Sequence, residues 1–172
     1  QTALEIALDN NHMETAIRAY NNLAAVLPAE ENEKSIEYLE KGYDLAKKTG
    51  DIHHISWIGD NLAGDYLGAG NMSKAFSLTE ESVALDRKSG SQNHLTMSLG
   101  NLGYEYLILG EWDKSEKLIN EAFEIAQRLK DFQAISVAYG NLCWLHAHKG
   151  EYKEVLEVAE KGYELMKKTG AK

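Results

Sequence analysis

The sequence predicts an all-α solenoid, a stack of antiparallel helix pairs, and three observations predict it. Glycines at 70, 110 and 150 recur every 40 residues, each closing one helical pattern before a short polar turn opens the next. Asn61-Leu62, Asn101-Leu102 and Asn141-Leu142 share that period, and Asn22-Leu23 continues the series one residue out of step. One proline in 172 residues leaves almost continuous helix, broken only by glycine and polar turns. Self-similarity of this length means stacked supersecondary units rather than a fold around one core. Function then belongs to surfaces that the stacking repeats.

The elements follow in order. Ala3, Leu4, Ile6 and Ala7 align with Ala122, Phe123, Ile125 and Ala126, so residues 1–10 read as the tail of a preceding repeat's second helix. Four repeats follow at 11–50, 51–90, 91–130 and 131–170, giving about nine helices in a single array. Their helix pairs are expected at 11–27 and 33–48, 52–69 and 72–89, 92–109 and 112–129, and 132–149 and 152–169. First helices carry apolar and small residues at helical spacing, as in Ile55, Ile58, Leu62, Ala63 and Tyr66, or Leu99, Leu102, Gly103 and Tyr106. Second helices do the same with Leu118, Ile119, Ala122, Phe123, Ile125 and Ala126. Small residues at Ala24, Ala63, Gly103 and Cys143 let the helices of a pair approach closely. Lys47-Lys48, Arg87-Lys88, Arg128 and Lys167-Lys168 sit where cations complement a helix C-terminus. Pro28 stands in the first hairpin turn, where the others have glycine, and gives that turn a different shape.

These residues resemble the tetratricopeptide repeat, whose signature runs W-x₂-L-G-x₂-Y, then A-x₃-F, then P. The third repeat has Leu99-x₂-Leu102-Gly103-x₂-Tyr106, then Ser115-x₃-Ile119, and the second has Gly59-x₂-Leu62-Ala63-x₂-Tyr66, then Ala75 and Thr79. Tyr20-x₂-Leu23-Ala24 and Tyr139-x₂-Leu142-Cys143 mark the first and fourth. The closing proline is absent and the period is about 40 rather than 34; without that proline the second helix runs on, so both departures share one cause. Such long repeats are similar to those of spindle-orientation adaptors, kinesin light chains and prokaryotic signalling regulators. The resemblance implies a right-handed superhelix with first helices on the concave face.

On that face Asn22, Asn61, Asn101 and Asn141 would project as a ladder. An amide offers two donors and an acceptor, which suits an extended peptide backbone, and equally suits a bond to the neighbouring repeat. One turn away lie Arg18, Trp57, Met97 and Val137 on one side and Ala25, Gly64, Tyr104 and Trp144 on the other, with Asp60 beside Asn61. Tryptophan, tyrosine and arginine dominate interface energetics; packing against the following repeat is the alternative for Trp57, Tyr104 and Trp144. Arrays that grip a terminal carboxylate carry lysine and arginine where this chain has Ala25, Gly64, Tyr104 and Trp144. A neutral or basic peptide is therefore expected over an acidic one.

Composition narrows the classes further. Net charge of -9 repels nucleic acid and anionic membrane surfaces. A lone cysteine fits a reducing compartment, hence a cytoplasmic protein, and no apolar run is long enough to span a bilayer. Cys143 and His146 share a helix face, but a structural zinc needs four ligands; Cys143 reads as a packing residue and His146 as a core substitute for tyrosine. His53 and His54 diverge by about 100° on a helix and cannot chelate together, while His12 and His94 read as surface residues. Gly68 to Lys74 lacks the strand and residue order of a phosphate loop. No acid, base and nucleophile converge, so no enzyme, cofactor or metal is expected.

The expectation is a non-catalytic interaction scaffold. Two alternatives stand beside it: a sensor or autoinhibitory module of a larger signalling or transcription regulator, and an assembly module oligomerising through its terminal helices. Gln1 falls inside a helical pattern and Gly170 closes the last helix early, so the chain reads as a segment of a longer array with apolar faces at both ends.

Overall fold

A computed structural model describes residues 3–169; Gln1 and Gly170 lie outside them. Packing divides the chain into two units, Gln1–Gly90 and Ser91–Lys172. Among the described residues the first unit holds α1 (Ala3–Asp9), α2 (Met13–Ala25), α3 (Asn32–Thr49), α4 (Ile52–Gly68) and α5 (Met72–Ser89). The second holds α6 (Gln92–Ile108), α7 (Trp112–Leu129), α8 (Phe132–Lys149) and α9 (Tyr152–Thr169). The fold is an all-helical stack of hairpins of tetratricopeptide-like solenoid type, as the 40-residue period predicts.

Local chemistry sets the helix ends. Asp51 caps α4 by accepting from the His53 and His54 N–H groups at 3.1 and 3.2 Å. Asn71 caps α5 through the Lys74 N–H, and Asp131 caps α8 through the Ala134 N–H at 3.0 Å. Left-handed residues close the second helices: Gly50, Gly90 and, at the matching position, Lys130 with φ 56°. Glycine adopts that conformation freely, whereas a residue with a Cβ is strained there. Lys130→Gly should therefore raise stability, by about 0.5–1 kcal/mol on the same principle, read as an upward shift of the denaturation midpoint at constant slope. Pro28 begins the first hairpin's own turn, a 3₁₀ segment at Ala29–Glu31.

That turn also explains the asparagine that falls out of step. Gly42 of α3 packs against Tyr20 and Ile17 of α2, with a built Cβ 3.2 Å from the Tyr20 Cβ. One repeat later, Ser82 of α5 packs against Gly59 and donates to the Ser56 carbonyl at 3.0 Å. Second helices thus correspond at 40 residues, but α2 and α4 correspond at 39. The hairpin through Pro28 is one residue shorter.

Each unit buries its own core. In the first, Ile17, Leu39, Ile55, Ile58, Leu62 and Tyr66 cluster, and in the second Leu107, Ile119, Leu142 and Leu145 do. A fully buried aliphatic side chain of this size contributes about 1.5–3 kcal/mol. Two tyrosines tie the first unit's hairpins together. The Tyr43 hydroxyl donates to Glu81 at 2.6 Å beneath the Lys47 ammonium, and Tyr66 donates to Glu40 while Lys74 donates to Tyr66 at 2.9 Å. Burial first, then the Glu81 acceptor, pushes the Tyr43 phenol far above its ordinary range, so both pairs keep their protons on tyrosine at neutral pH.

Candidate functional site

The ladder residues sit on the first helices, and their packing depends on what precedes each one. Asn61 on α4 donates its amide to the Asn21 side chain on α2 at 2.6 Å. Asn141 on α8 donates to the Gly100 carbonyl on α6 at 3.4 Å. In both repeats the acceptor belongs to the residue just before the preceding ladder position, Asn21 before Asn22 and Gly100 before Asn101. One donor of each amide therefore ties repeat to repeat, the structural use foreseen beside peptide contact. Asn61 and Asn141 are half-buried; Asn22 and Asn101 are exposed. Asn21, buried beside exposed Asn22, was not singled out from sequence: two adjacent asparagines carry no mark of which one turns inward.

Neighbours of the ladder divide by unit. In the first, Arg18 is exposed and pairs with Glu14 at 3.2 Å, a solvated helix-surface pair of little energetic weight. Trp57 is half-buried against the core cluster, its ring edge-on to His54 at 5.9 Å. Asp60 is buried, so its carboxylate does not share the open surface with Asn61 as the sequence reading placed it. Consecutive helical residues point about 100° apart, which takes Asp60 off the face that Asn61 occupies.

In the second unit the same positions carry exposed apolar side chains. Met97 and Tyr104 on α6 are 48% and 38% exposed, and Val137 and Trp144 on α8 are 56% and 60% exposed. They flank Asn101 and Asn141 in pairs 40 residues apart, 97 with 137 and 104 with 144. Trp144 stacks on the His148 ring at a centroid distance of 6.2 Å. Between α6 and α8, beside Met97 and Val137, opens a cleft of about 320 Å³ with Ile119 and Ala122 of α7 as its floor. Thr96, Asn101, Asn141, Gln133 and Asp131 supply its polar lining. Glycine at 100 and 140 keeps the helix surfaces low here; a Cβ at 140 would meet nothing within 4 Å. Such a surface, apolar with a few convergent amides, fits an extended chain that brings side chains and unpaired backbone together.

The sulfur and imidazole groups have structural partners. Cys143 is half-buried with its thiol directed at the Val155 carbonyl, and burial pushes its pKa up, so it is not a ready thiolate. His146 bonds to Glu151 at 2.7 Å across the last hairpin turn. His94 is half-buried rather than at the surface, with its Nδ1 shielded from water.

Residues 93–168 match the family model of the tetratricopeptide repeat. That stretch, a little under half of the chain, matches tetratricopeptide repeats. The matched segment takes in α6 to α9, the helices of the apolar surface described above. No curated protein matches the sequence. Solved structures of similar fold include BtubC (BKLC) from P. vanneervenii, at 16% identity and TM-score 0.77, covering 93% of this chain and 66% of that one. A putative kinesin light chain from Podosopora anserina with nearly identical tetratricopeptide-like repeats aligns at 18% identity and TM-score 0.62, over 98% of this chain and 94% of that one. A Rap protein complexed with Competence and Sporulation Factor aligns at 14% identity and TM-score 0.68, over 96% of this chain and 56% of that one. The chain thus spans less than two thirds of BtubC and of the Rap protein. Tetratricopeptide arrays are protein–protein interaction scaffolds, and among the described residues no helix is long and apolar enough to cross a membrane.

Proposed function

We propose that this chain is a non-catalytic scaffold that holds an extended peptide segment of another protein along the α6–α8 face. The observation that carries the reading is the exposure of Met97, Tyr104, Val137 and Trp144 in register around Asn101 and Asn141. Large apolar side chains left in water on one helix face cost free energy unless a partner covers them. The amides between them supply what a peptide backbone needs, since Asn141 has donor capacity beyond its bond to Gly100 and Asn101 is exposed. Association of the Rap neighbour with its named factor is consistent with a face of this kind accepting a ligand. In the first unit, Asn22, Asn61, Arg18 and Trp57 occupy the corresponding positions and would offer that unit's own peptide contacts; Asp60, being buried, would act only by holding Asn61's helix in place.

The ligand is neutral or basic. Ala25, Gly64, Tyr104 and Trp144 stand where a carboxylate clamp would need cations, Asp131 lines the cleft, and the chain carries a charge of -9. Peptides selected from a random display library against the chain should be extended and neutral or basic. Replacing both Asn101 and Asn141 with alanine should weaken the best of them about tenfold, the scale of one or two lost amide bonds, while the melting temperature falls by only a few degrees for the lost Asn141–Gly100 bond. Enrichment of acidic sequences, or affinity indifferent to both alanines, would defeat the reading.

A further inference from the structure

The cleft between α6 and α8 has one charged side chain among its lining residues, the carboxylate of Asp131. Asp131 caps α8, and its Oδ1 accepts from the Ala134 N–H at 3.0 Å. Asp51 caps α4 in the same way, but there Oδ2 is engaged as well, by the His54 ring nitrogen at 2.7 Å. Two repeats later the place of His54 is taken by Ala134, which has no side-chain donor to give. Among the described residues the second oxygen of Asp131 therefore has neither a hydrogen bond nor an ion pair, although Asp131 is half-buried. A carboxylate drawn partly out of water with an oxygen unmet favours a cation beside it.

The rest of the cleft selects which cation. Met97 and Val137 stand at its sides and Ile119 and Ala122 form its floor, so an entering side chain must be apolar along its length and positive at its tip. Lysine and arginine have that build. An arginine fork makes two parallel bonds to a carboxylate, and here Oδ1 is committed to the cap. A lysine ammonium needs one oxygen from Asp131, and the amides of Gln133, Asn101 and Asn141 share the lining as acceptors for its remaining donors. The cleft is built by α6, α7 and α8 together with the Asp131 cap, all within the second unit.

We infer, on the peptide reading of this face, that the cleft takes one lysine side chain of the ligand, its stem against Met97, Val137 and Ile119 and its ammonium on Asp131. Asp131 is then the residue that sets specificity, while the ladder amides hold backbone.

Peptides selected from the random library should share a lysine at one position. Titration of the chain with the tightest of them, and with copies carrying norleucine or arginine at that lysine, reads the pocket. Norleucine keeps the stem and removes the charge, and should weaken binding at least about tenfold, the scale of a charge-assisted hydrogen bond; arginine should bind less tightly than lysine. Asp131→Asn retains the α8 cap, since asparagine and aspartate cap about equally well. It should weaken the lysine peptide by the same factor and leave the norleucine copy unchanged. Absence of any peptide binding would overturn the scaffold reading along with the pocket. Selected peptides without a common lysine, norleucine or arginine accepted at no cost, or Asp131→Asn weakening both copies alike would overturn the pocket alone.

Discussion

Gly103→Ala should cost this chain about 1–3 kcal/mol, the range for overpacking a filled core. A Cβ built at 103 falls 2.8 Å from the Ile119 Cγ1 and 3.4 Å from both the Ile119 nitrogen and the Ser115 carbonyl. Ile119 is fully buried and clustered with Leu107, Leu142 and Leu145, so it has nowhere to retreat. The repeats trade volume across this contact. Glycine at 103 stands with isoleucine at 119, while the corresponding positions of the preceding repeat hold Ala63 and Thr79. Ile119→Ala alone should cost about 2–5 kcal/mol by leaving a cavity. In the double variant the new methyl at 103 partly fills that cavity, so the two losses should sum to more than the measured total. Urea titration of the four chains gives the coupling directly. Strict additivity would mean that the α6–α7 contact is looser than the geometry describes.

Trp144→Ala should weaken peptide binding by roughly thirtyfold, about 2 kcal/mol, the scale of an aromatic anchor at an interface. The same substitution should leave stability within about 0.5 kcal/mol, since surface changes seldom exceed that. Trp144 is 60% exposed, and its neighbour in the fold is the His148 ring. Trp57 makes the contrast. It is half-buried against the first unit's core, so Trp57→Ala should cost stability whatever it does to binding. Parallel thermal melts and peptide titrations of the two variants separate anchor from core. Equal effects of both on binding, with equal loss of stability, would mean that Trp144 is a packing residue.

Most of the fold was legible because the punctuation is chemical. Asp51, Asn71 and Asp131 supply N-caps, and Gly50 and Gly90 supply left-handed ends, so the expected helices from residue 72 onward agree with the observed ones to within a residue. The first hairpin was harder. Its turn at Pro28 moves α2 by one position; the sequence showed the offset at Asn22-Leu23, and the packing of Tyr20 on Gly42 supplies its physical reason.

Depth was the part that periodicity could not supply. Spacing tells which residues share a face, but burial depends on the size of whatever lies opposite. Trp57 and Trp144 are one residue type two turns apart on matching helices, yet both meet an imidazole and only Trp57 also leans on a core. Asp60 next to Asn61 illustrates the same limit, since adjacency in sequence is divergence on a helix. Lys130 went unnoticed for the opposite reason, because a lysine in a turn carries no signal that its backbone is left-handed.

The central claim is that the α6–α8 face receives the ligand, and amide chemical-shift mapping tests it most directly. A selected peptide titrated into labelled chain should move the resonances of Met97, Asn101, Tyr104, Val137, Asn141 and Trp144 together, on one binding curve. Shifts confined to the outward faces of α7 and α9, with those six residues still, would contradict it.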